Sequence, residues 1–299
     1  MSDDVLYAVE NGIGWITFNR PDQRNALTFA MYARLAEICG DVPMDGSVKA
    51  IVLRGAGDRA FAAGTDMTEF RGFSTPADAH KYEEDANTVF TAVETCPVPT
   101  IAAITGACTG GGGAIAAACD LRICDSRLKF GFPIARTLGN CLAIANLNRL
   151  SALIGTGRVR EMIFTARLLG AEEAERIGLV SEVLPDAEAV IARAADLAST
   201  LATHAPLTLR ATKEALRRLR VDGPGADDSD LVEMCYMSED FREGMDAFLS
   251  KRAPDWKGVC TISRQAANSA KAASAPATIR SRRAGVSAAF SIPSCRTGQ

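Results

Sequence analysis

The sequence has few of the residues that mark several common protein classes. Its 299 residues include only two histidines, His80 and His204, and no Ser or Asp spacing around His204 suggests a catalytic triad. The nine cysteines form no Cys-x-x-Cys pair. Several of them lie in apolar runs, where a free thiol behaves as a small hydrophobe, so a disulfide scaffold is excluded and a reducing cytoplasm is favoured. No Gly-Lys-Ser or Gly-Lys-Thr motif is present, which argues against a phosphate-binding loop of that type.

Membrane and targeting signals are also lacking. Residues 100–119 carry no charge, but five of these twenty residues are glycine, so a strand and a helix joined by a glycine turn are favoured over a spanning helix. Residues 1–10 contain three acids and no basic group, which predicts no signal or transit peptide. We therefore expect a cytoplasmic protein without a membrane partner.

Charge is unevenly distributed, with 33 Lys and Arg against 36 Asp and Glu in the whole chain. Residues 259–299 hold six basic residues, no acid, ten Ala and seven Ser, a composition that predicts a disordered basic tail. A basic arm that contacts an acidic partner is the alternative. Residues 1–258 then carry a net charge of −9, which argues against nucleic acid as a partner of the folded part.

Strand-like and helix-like patterns alternate as far as about residue 140. This alternation predicts an α/β fold with a covered, mostly parallel sheet, followed by a helical region. Strands are predicted at 5–10, 14–18, 50–53, 101–104, 121–124 and 129–130, and helices at 28–39, 76–95, 141–153, 158–164, 171–177, 187–203, 206–220 and 229–250.

Two glycine-containing turns are the strongest chemical signal. The run at 110–113 lies between an apolar strand and an apolar helix, and the loop at 61–66 follows a buried strand. Each turn can lend a backbone N–H to one oxygen, which is the geometry of an oxyanion hole. Tight packing is the alternative explanation of the glycine run.

Further motifs carry a family resemblance. They are Asn19-Arg20-Pro21, Asn25-Ala26-Leu27, the loop 61–66, residues 104–106 leading into 110–113, Cys119-Asp120, Phe130-Gly131 with Pro133, and residues 165–167 and 178–180. In this order and spacing the chain resembles the enoyl-CoA hydratase/isomerase (crotonase) superfamily over roughly residues 5–257. The resemblance implies a spiral of ββα units over 1–195 and a helical region at 196–258 used for trimer contacts. It also implies a homotrimer or dimer of trimers, an acyl-CoA thioester as the bound partner, and no cofactor or metal apart from the coenzyme A of the substrate.

The resemblance also assigns residues to the site. The backbone N–H groups of Thr65 and Gly111 are expected to hold the thioester oxygen, the adenine to lie near 63–67, and the phosphates to lie near Arg24. A solvent-facing Arg24 is the alternative, and Asp66 is expected to make local turn or cap hydrogen bonds. The full set expected to contact coenzyme or acyl group is Gln23, Arg24, Ala26, Ala63, Gly64, Asp66, Met67, Gly110, Ala114, Ile134, Phe248 and Lys251.

Two departures from the family pattern concern proton transfer. The two glutamates of a family hydratase correspond here to Ala114 and Ile134, and neither side chain exchanges a proton. General acid–base groups contribute about 10²–10⁴-fold each, so we expect a poor conventional hydratase.

Two segments offer polar groups that could replace these glutamates: the helix predicted at 76–95 and the segment that follows Ile134. On the helix, His80 is expected at the surface, and Glu83, Glu84 and Asp85 are a charge run of the kind that faces solvent.

In the segment after Ile134, Arg136 is the candidate to orient a charged acyl group. Asn140 is expected to cap the helix predicted from residue 141, and Cys141 is expected to be a buried thiol.

The resemblance thus implies an enzyme of the enoyl-CoA hydratase/isomerase family, a lyase or isomerase of fatty acid metabolism. It is expected to act on an acyl-CoA thioester by stabilising an oxyanion or enolate. One alternative is decarboxylation of a malonyl-type CoA, in which departing CO₂ generates the enolate and Arg136 orients the carboxylate. The other is a non-catalytic acyl-CoA-binding protein, in which the apolar Ala114 and Ile134 leave room for a long acyl chain.

Overall fold

A computed structural model describes residues 3–259, and the predicted tail lies outside the described residues from 260 onward. The described part contains nine strands and eleven α-helices. The strands are β1 (Val5–Glu10), β2 (Ile13–Phe18), β3 (Ala50–Gly55), β4 (Ala60–Ala62), β5 (Thr100–Ile104), β6 (Ala107–Thr109), β7 (Leu121–Asp125), β8 (Lys129–Gly131) and β9 (Glu182–Leu184). The helices are α1 (Phe29–Gly40), α2 (Pro76–Glu94), α3 (Gly111–Ala118), α4 (Ile134–Thr137), α5 (Ile144–Ile154), α6 (Thr156–Thr165), α7 (Ala171–Arg176), α8 (Ala187–Leu201), α9 (Pro206–Asp222), α10 (Ser229–Tyr236) and α11 (Glu239–Leu249).

The main sheet has the strand order β1-β2-β3-β5-β7-β9. Only β1 runs antiparallel to its neighbour, through the hairpin predicted around Asn11 and Gly12, and the other pairs are parallel. β3 and β5 are buried almost throughout, because helices cover both faces of a parallel sheet. The prediction of a covered, mostly parallel sheet is confirmed.

A second, parallel sheet of order β4-β6-β8 consists of three-residue strands, of which the sequence predicted β8, at 129–130, but not β4 or β6. Each of these strands follows a strand of the main sheet and precedes a helix, which gives the units β3-β4-α2, β5-β6-α3 and β7-β8-α4. The expected succession of ββα units is confirmed. Strands of three residues are stabilised by their neighbours rather than by their own propensity, so no periodic signal marked β4 and β6.

The long charge-free stretch at 100–119 is shared by β5, β6 and α3, all of them mostly buried. The favoured explanation of a strand and a helix joined by a glycine turn is confirmed, with β6 inserted between them. Within residues 3–259, none of the helices has the length and apolarity needed to traverse a bilayer.

Two helix predictions were wrong in detail. The helix predicted at 229–250 is divided into α10 and α11, because Ser238 leaves the helix and its hydroxyl accepts the Phe241 N–H at 2.9 Å as a new N-cap. The helix predicted from residue 141 begins at Ile144, so Asn140 does not cap it and the N-cap position is Ala143. Cys141 precedes this helix and is exposed, contrary to the expected buried thiol.

Candidate functional site

The loop that leads into α1 is anchored by a buried amide. Asn25 Nδ2 donates to the carbonyl oxygens of Ala60 at 2.7 Å and Ala56 at 3.0 Å, while its Oδ1 accepts the Arg20 N–H at 3.0 Å. These bonds fix the loop against the end of β3 and the start of β4. Leu27 is thereby placed beside the second loop, residues 63–66.

The Thr65 peptide is held on both sides by Leu27. The Leu27 N–H donates to the Gly64 oxygen at 2.8 Å, and the Asp66 N–H donates to the Leu27 oxygen at 2.8 Å. Between them, the Thr65 N–H has no acceptor within residues 3–259. The Thr65 hydroxyl lies 2.9 Å from the Tyr32 hydroxyl and 3.2 Å from that of Tyr82. Thr65 is therefore fixed through backbone and side chain while its amide stays available.

Asp66 makes the local hydrogen bonds expected of it. Its carboxylate accepts the Thr68 N–H at 3.0 Å as the N-cap of the 3-10 helix Met67–Gly72, and it pairs with Arg20 at 3.0 Å. The bonds from Thr68, and then the Arg20 guanidinium, lower the pKa of Asp66. Asp66 is thus a stabilising carboxylate of the loop and does not line the cavity described below.

The Gly111 peptide opens α3. Gly110 precedes it with φ +53°, a conformation that favours glycine, and the Gly110 N–H donates to Gly131 O at 3.0 Å. The Gly111 N–H has no acceptor among the described residues and lies at a helix N-terminus, where the dipole favours negative charge. A Cβ at Gly111 would overlap the Tyr32 hydroxyl. A Cβ at Gly110 would lie 3.4 Å from Gly64 Cα, so the two loops are in contact.

Thr65 and Gly111 both line one cavity of about 330 Å³. Ala114 and Ile134, the positions at which the resemblance placed the hydratase glutamates, also line it, and both are buried. Most of the remaining wall is apolar. It is formed by Ala63, Gly64, Met67, Phe70, Tyr82, Glu83, Ala86, Phe90, Thr109, Gly110, Phe132, Pro133, Thr137, Leu138, Asn140, Cys141, Leu142 and Asn146.

Several other residues predicted from the sequence do not line this cavity. Arg136 is exposed and is not part of the cavity wall, and Phe248 lines a different cavity beside Trp256. Lys251 follows α11 in an exposed position with φ +53°. In the loop that leads into α1, the Arg24 carbonyl oxygen accepts the N–H of Ala63, a cavity residue, at 3.0 Å. This bond places the loop next to the cavity rim. Gln23 and Ala26 lie on the same loop.

The helix α2 contributes two cavity residues whose role the sequence did not reveal. Tyr82 and Glu83 line the cavity, whereas Glu84 and Asp85 are exposed and His80 lies at the surface as expected. Burial raises the pKa of Glu83.

The expectation that Glu83, Glu84 and Asp85 all face solvent is therefore wrong for Glu83. Glu83 precedes the buried Ala86 and Phe90 by three and seven residues, so it shares their helix face. That spacing was the signal available in the sequence.

Known proteins of one family are similar to this chain in sequence and in fold. Residues 8–259 match the family described as Enoyl-CoA hydratase/isomerase. The chain is 34% identical over 253 residues to the short-chain-enoyl-CoA hydratase of Clostridium acetobutylicum, covering 84% of this chain and 96% of that protein. It is 37% identical over 262 residues to the (E)-benzylidenesuccinyl-CoA hydratase of Thauera aromatica, covering 85% and 99%.

Among solved structures, an enoyl-CoA hydratase/carnithine racemase from Magnetospirillum magneticum superimposes with a TM-score of 0.78 at 33% identity, covering 87% of this chain and 97% of that one. An enoyl-CoA hydratase from Bacillus anthracis gives a TM-score of 0.76 at 30% identity, covering 86% and 100%. Sequence and fold agree over the same part of the chain. The chain therefore belongs to the enoyl-CoA hydratase/isomerase family of the crotonase superfamily.

Proposed function

We propose that this protein is an enzyme that binds an acyl-CoA thioester and stabilises an oxyanion on the backbone N–H groups of Thr65 and Gly111. The observation that carries the proposal is that Thr65 and Gly111, whose backbone N–H groups have no acceptor within residues 3–259, both line one cavity. Membership of the family supports the substrate class.

The geometry suits a reaction that passes through a thioester enolate. Removal of a proton from C2 moves negative charge onto the thioester oxygen, where two fixed donors stabilise it more strongly than they stabilise the neutral carbonyl. The apolar wall strengthens this stabilisation, because hydrogen-bond donors interact more strongly with a charge where water is excluded and the local dielectric constant is low. Loss of one such donor typically costs about 10²–10³-fold in rate.

Conventional hydration is not the favoured reaction. Ala114 and Ile134 present only apolar surface to the cavity, so neither activates a water molecule. We expect lyase or isomerase chemistry that begins with proton removal from the acyl chain.

The oxyanion hole is tested by exchange of the C2 hydrogens of butyryl-CoA in D₂O, followed by mass spectrometry. A proline at Gly111 removes the amide but also adds a Cβ that overlaps the Tyr32 hydroxyl. The comparison is therefore made in the Tyr32→Phe background, with Gly111→Pro as the test and Gly111→Ala as the matched control that retains the N–H.

Slower exchange by about 10²–10³-fold in the proline variant than in the alanine variant supports the proposal. Equal exchange rates in two folded variants overturn it. Folding is checked by circular dichroism and coenzyme A binding by calorimetry.

Two alternatives are separated by a panel of CoA thioesters with product detection. Tight binding without exchange or product supports the non-catalytic binder, which the apolar Ala114 and Ile134 would suit. Release of CO₂ from malonyl- or methylmalonyl-CoA supports the decarboxylase. Arg136 is exposed and does not line the cavity, which disfavours its proposed role in that reaction.

Subunit contacts and location are part of the same proposal. The helices of the region 196–258 expose several large apolar side chains, which supports their use in a homotrimer or dimer of trimers. The exposed apolar side chains of α10 and α11 are Val232, Tyr236, Phe241, Met245, Phe248 and Leu249.

The seven described cysteines are free thiols, which is consistent with a cytoplasmic location.

A further inference from the structure

We propose that Glu83, on helix α2, is the group that transfers protons to and from the acyl chain in this site. The inference rests on the proposed oxyanion function and assigns its missing proton-transfer step. It replaces the pair of family glutamates by one carboxylate from a different element of the fold.

The first support is the chemistry of the cavity wall. Among the described residues that line the cavity, Glu83 is the sole carboxylate, and no lysine, arginine or histidine is present. The other ionisable groups there are the Tyr82 phenol and the Cys141 thiol. The wall therefore offers one group that is a base near neutral pH and lies in the same cavity as both oxyanion donors.

The second support is that the Glu83 carboxylate has no hydrogen-bond or ion-pair partner among the described residues. It is half-buried, yet no residue within 3–259 donates a hydrogen bond to it or forms an ion pair with it. The lysine one turn away, Lys81, pairs instead with Asp85 at 2.8 Å. A carboxylate withdrawn from water without a partner is costly in a purely structural role, but both of its oxygens remain available to a substrate proton.

The third support is electrostatic. Burial raises the pKa of Glu83, which makes its carboxylate a stronger base than an exposed glutamate. Two phenols face it, Tyr82 from α2 and Tyr32 from α1, and burial raises the pKa of each, so both stay neutral near pH 7. Glu83 thus interacts electrostatically with these two phenols, the Cys141 thiol lies elsewhere on the same cavity wall, and Glu84 and Asp85 are exposed on the same helix.

The step balances without a co-reactant. The Glu83 carboxylate accepts the C2 proton, and the electron pair of the broken C–H bond forms the C1–C2 double bond of the enolate while negative charge moves to the thioester oxygen. The Glu83 carboxylic acid then returns the proton to C2, or to the far end of a conjugated system. One carboxylate is sufficient for such transfer within the acyl chain, whereas hydration also needs a group that activates water.

The test compares Glu83→Gln with Glu84→Gln, a matched change at the exposed neighbouring position. The readouts are C2 hydrogen exchange of butyryl-CoA in D₂O and the dissociation constant of butyryl-CoA. We expect Glu83→Gln to slow exchange by about 10²–10⁴-fold, with a change in the dissociation constant below about threefold, and Glu84→Gln to change neither.

A pH profile separates proton transfer from a structural role. Wild-type exchange is expected to rise with pH through an apparent pKa above that of an ordinary glutamate, because the carboxylate is the active form. Glu83→Gln is expected to lose this limb of the profile, and Glu83→Asp to restore it at a lower rate. Failure of Glu83→Asp to restore the limb in a folded, CoA-binding variant contradicts the assignment.

The remaining outcomes distinguish the two proposals. If Glu83→Gln retains hydrogen exchange and Gly111→Pro loses it, the role of Glu83 is wrong. The proposed oxyanion function then remains supported. Exchange that survives both changes overturns both, as does the absence of exchange in wild-type protein that binds butyryl-CoA.

Discussion

The hydroxyl groups of Tyr32 and Thr65 lie 2.9 Å apart, and the same Tyr32 hydroxyl fills the space that a side chain at Gly111 would need. One phenol from α1 therefore contacts both loops that carry the free amides. Its position fixes the Thr65 side chain and permits only glycine at position 111. The spacing of the two donors thus depends on a residue that does not itself line the cavity.

Tyr32→Phe is expected to loosen the oxyanion hole without destroying it. The change removes one hydrogen bond to Thr65, worth about 0.5–1.5 kcal/mol, while the bond between Thr65 and Tyr82 remains. We expect a fall of up to about tenfold in the exchange rate and a small decrease in the free energy of unfolding. Tyr7→Phe, in β1, is the control, and equal exchange rates in the two variants would contradict this role of Tyr32.

Asp66→Asn is expected to make stability less dependent on pH. The folded-state pKa of Asp66 is lowered, so its contribution is complete above the unfolded-state value of about 3.9 and is lost as pH falls through the folded-state pKa. Urea unfolding at several pH values is the measurement. The variant should be less stable than wild type at pH 7, and the difference should shrink below pH of about 4. A difference that stays constant down to pH 2 would show that the charge of Asp66 is not responsible.

Glu94→Gln is expected to destabilise the protein strongly. The Glu94 carboxylate, at the end of α2, binds Arg149 of α5 at 3.0 Å and also pairs with Arg220 of α9. Arg149 is buried, so removal of the charge leaves a buried cation without its anion, which costs about 3–5 kcal/mol. Chemical denaturation measures the loss. The exposed Glu84→Gln serves as control, and a loss no larger than that of the control would contradict the argument.

Glutamates placed at the two apolar positions of the cavity are expected to create hydration activity. The double variant Ala114→Glu/Ile134→Glu should hydrate crotonyl-CoA at least about 10²-fold faster than the parent, because each acid–base group contributes about 10²–10⁴-fold. The double glutamine variant at the same positions matches its size without its proton-transfer capacity. Equal hydration by the two folded variants would show that the loss of these carboxylates does not limit the reaction.

Phe248→Asp is expected to disrupt subunit contacts. Phe248 is 83% exposed at the end of α11, beside Leu249 at 78%, and such apolar area is usually covered by a partner. Light scattering should show a smaller particle for this variant than for wild type. Val9→Asp on β1, also an exposed apolar position, is the control. An unchanged mass would exclude this face as an essential contact.

Sequence periodicity and glycine placement determined much of the fold. The hairpin, the strands β3, β5 and β7, and helices such as α1 with its Thr28 cap follow from local pattern and capping, because these signals act within a few residues. The sequence also located both glycine turns, and the family resemblance alone places Ala114 and Ile134 at the two glutamate positions.

Tertiary structure decided which side chains meet. Glu83 and Glu84 are adjacent in one charge run, yet of the two only Glu83 lines the cavity, whereas Arg136 is exposed and is not part of its wall. The register of a helix against its neighbours sets this choice, and it depends on packing of distant segments rather than on local composition. The contact of Tyr32 with both loops has the same origin, since its partners lie 33 and 79 positions further along the chain.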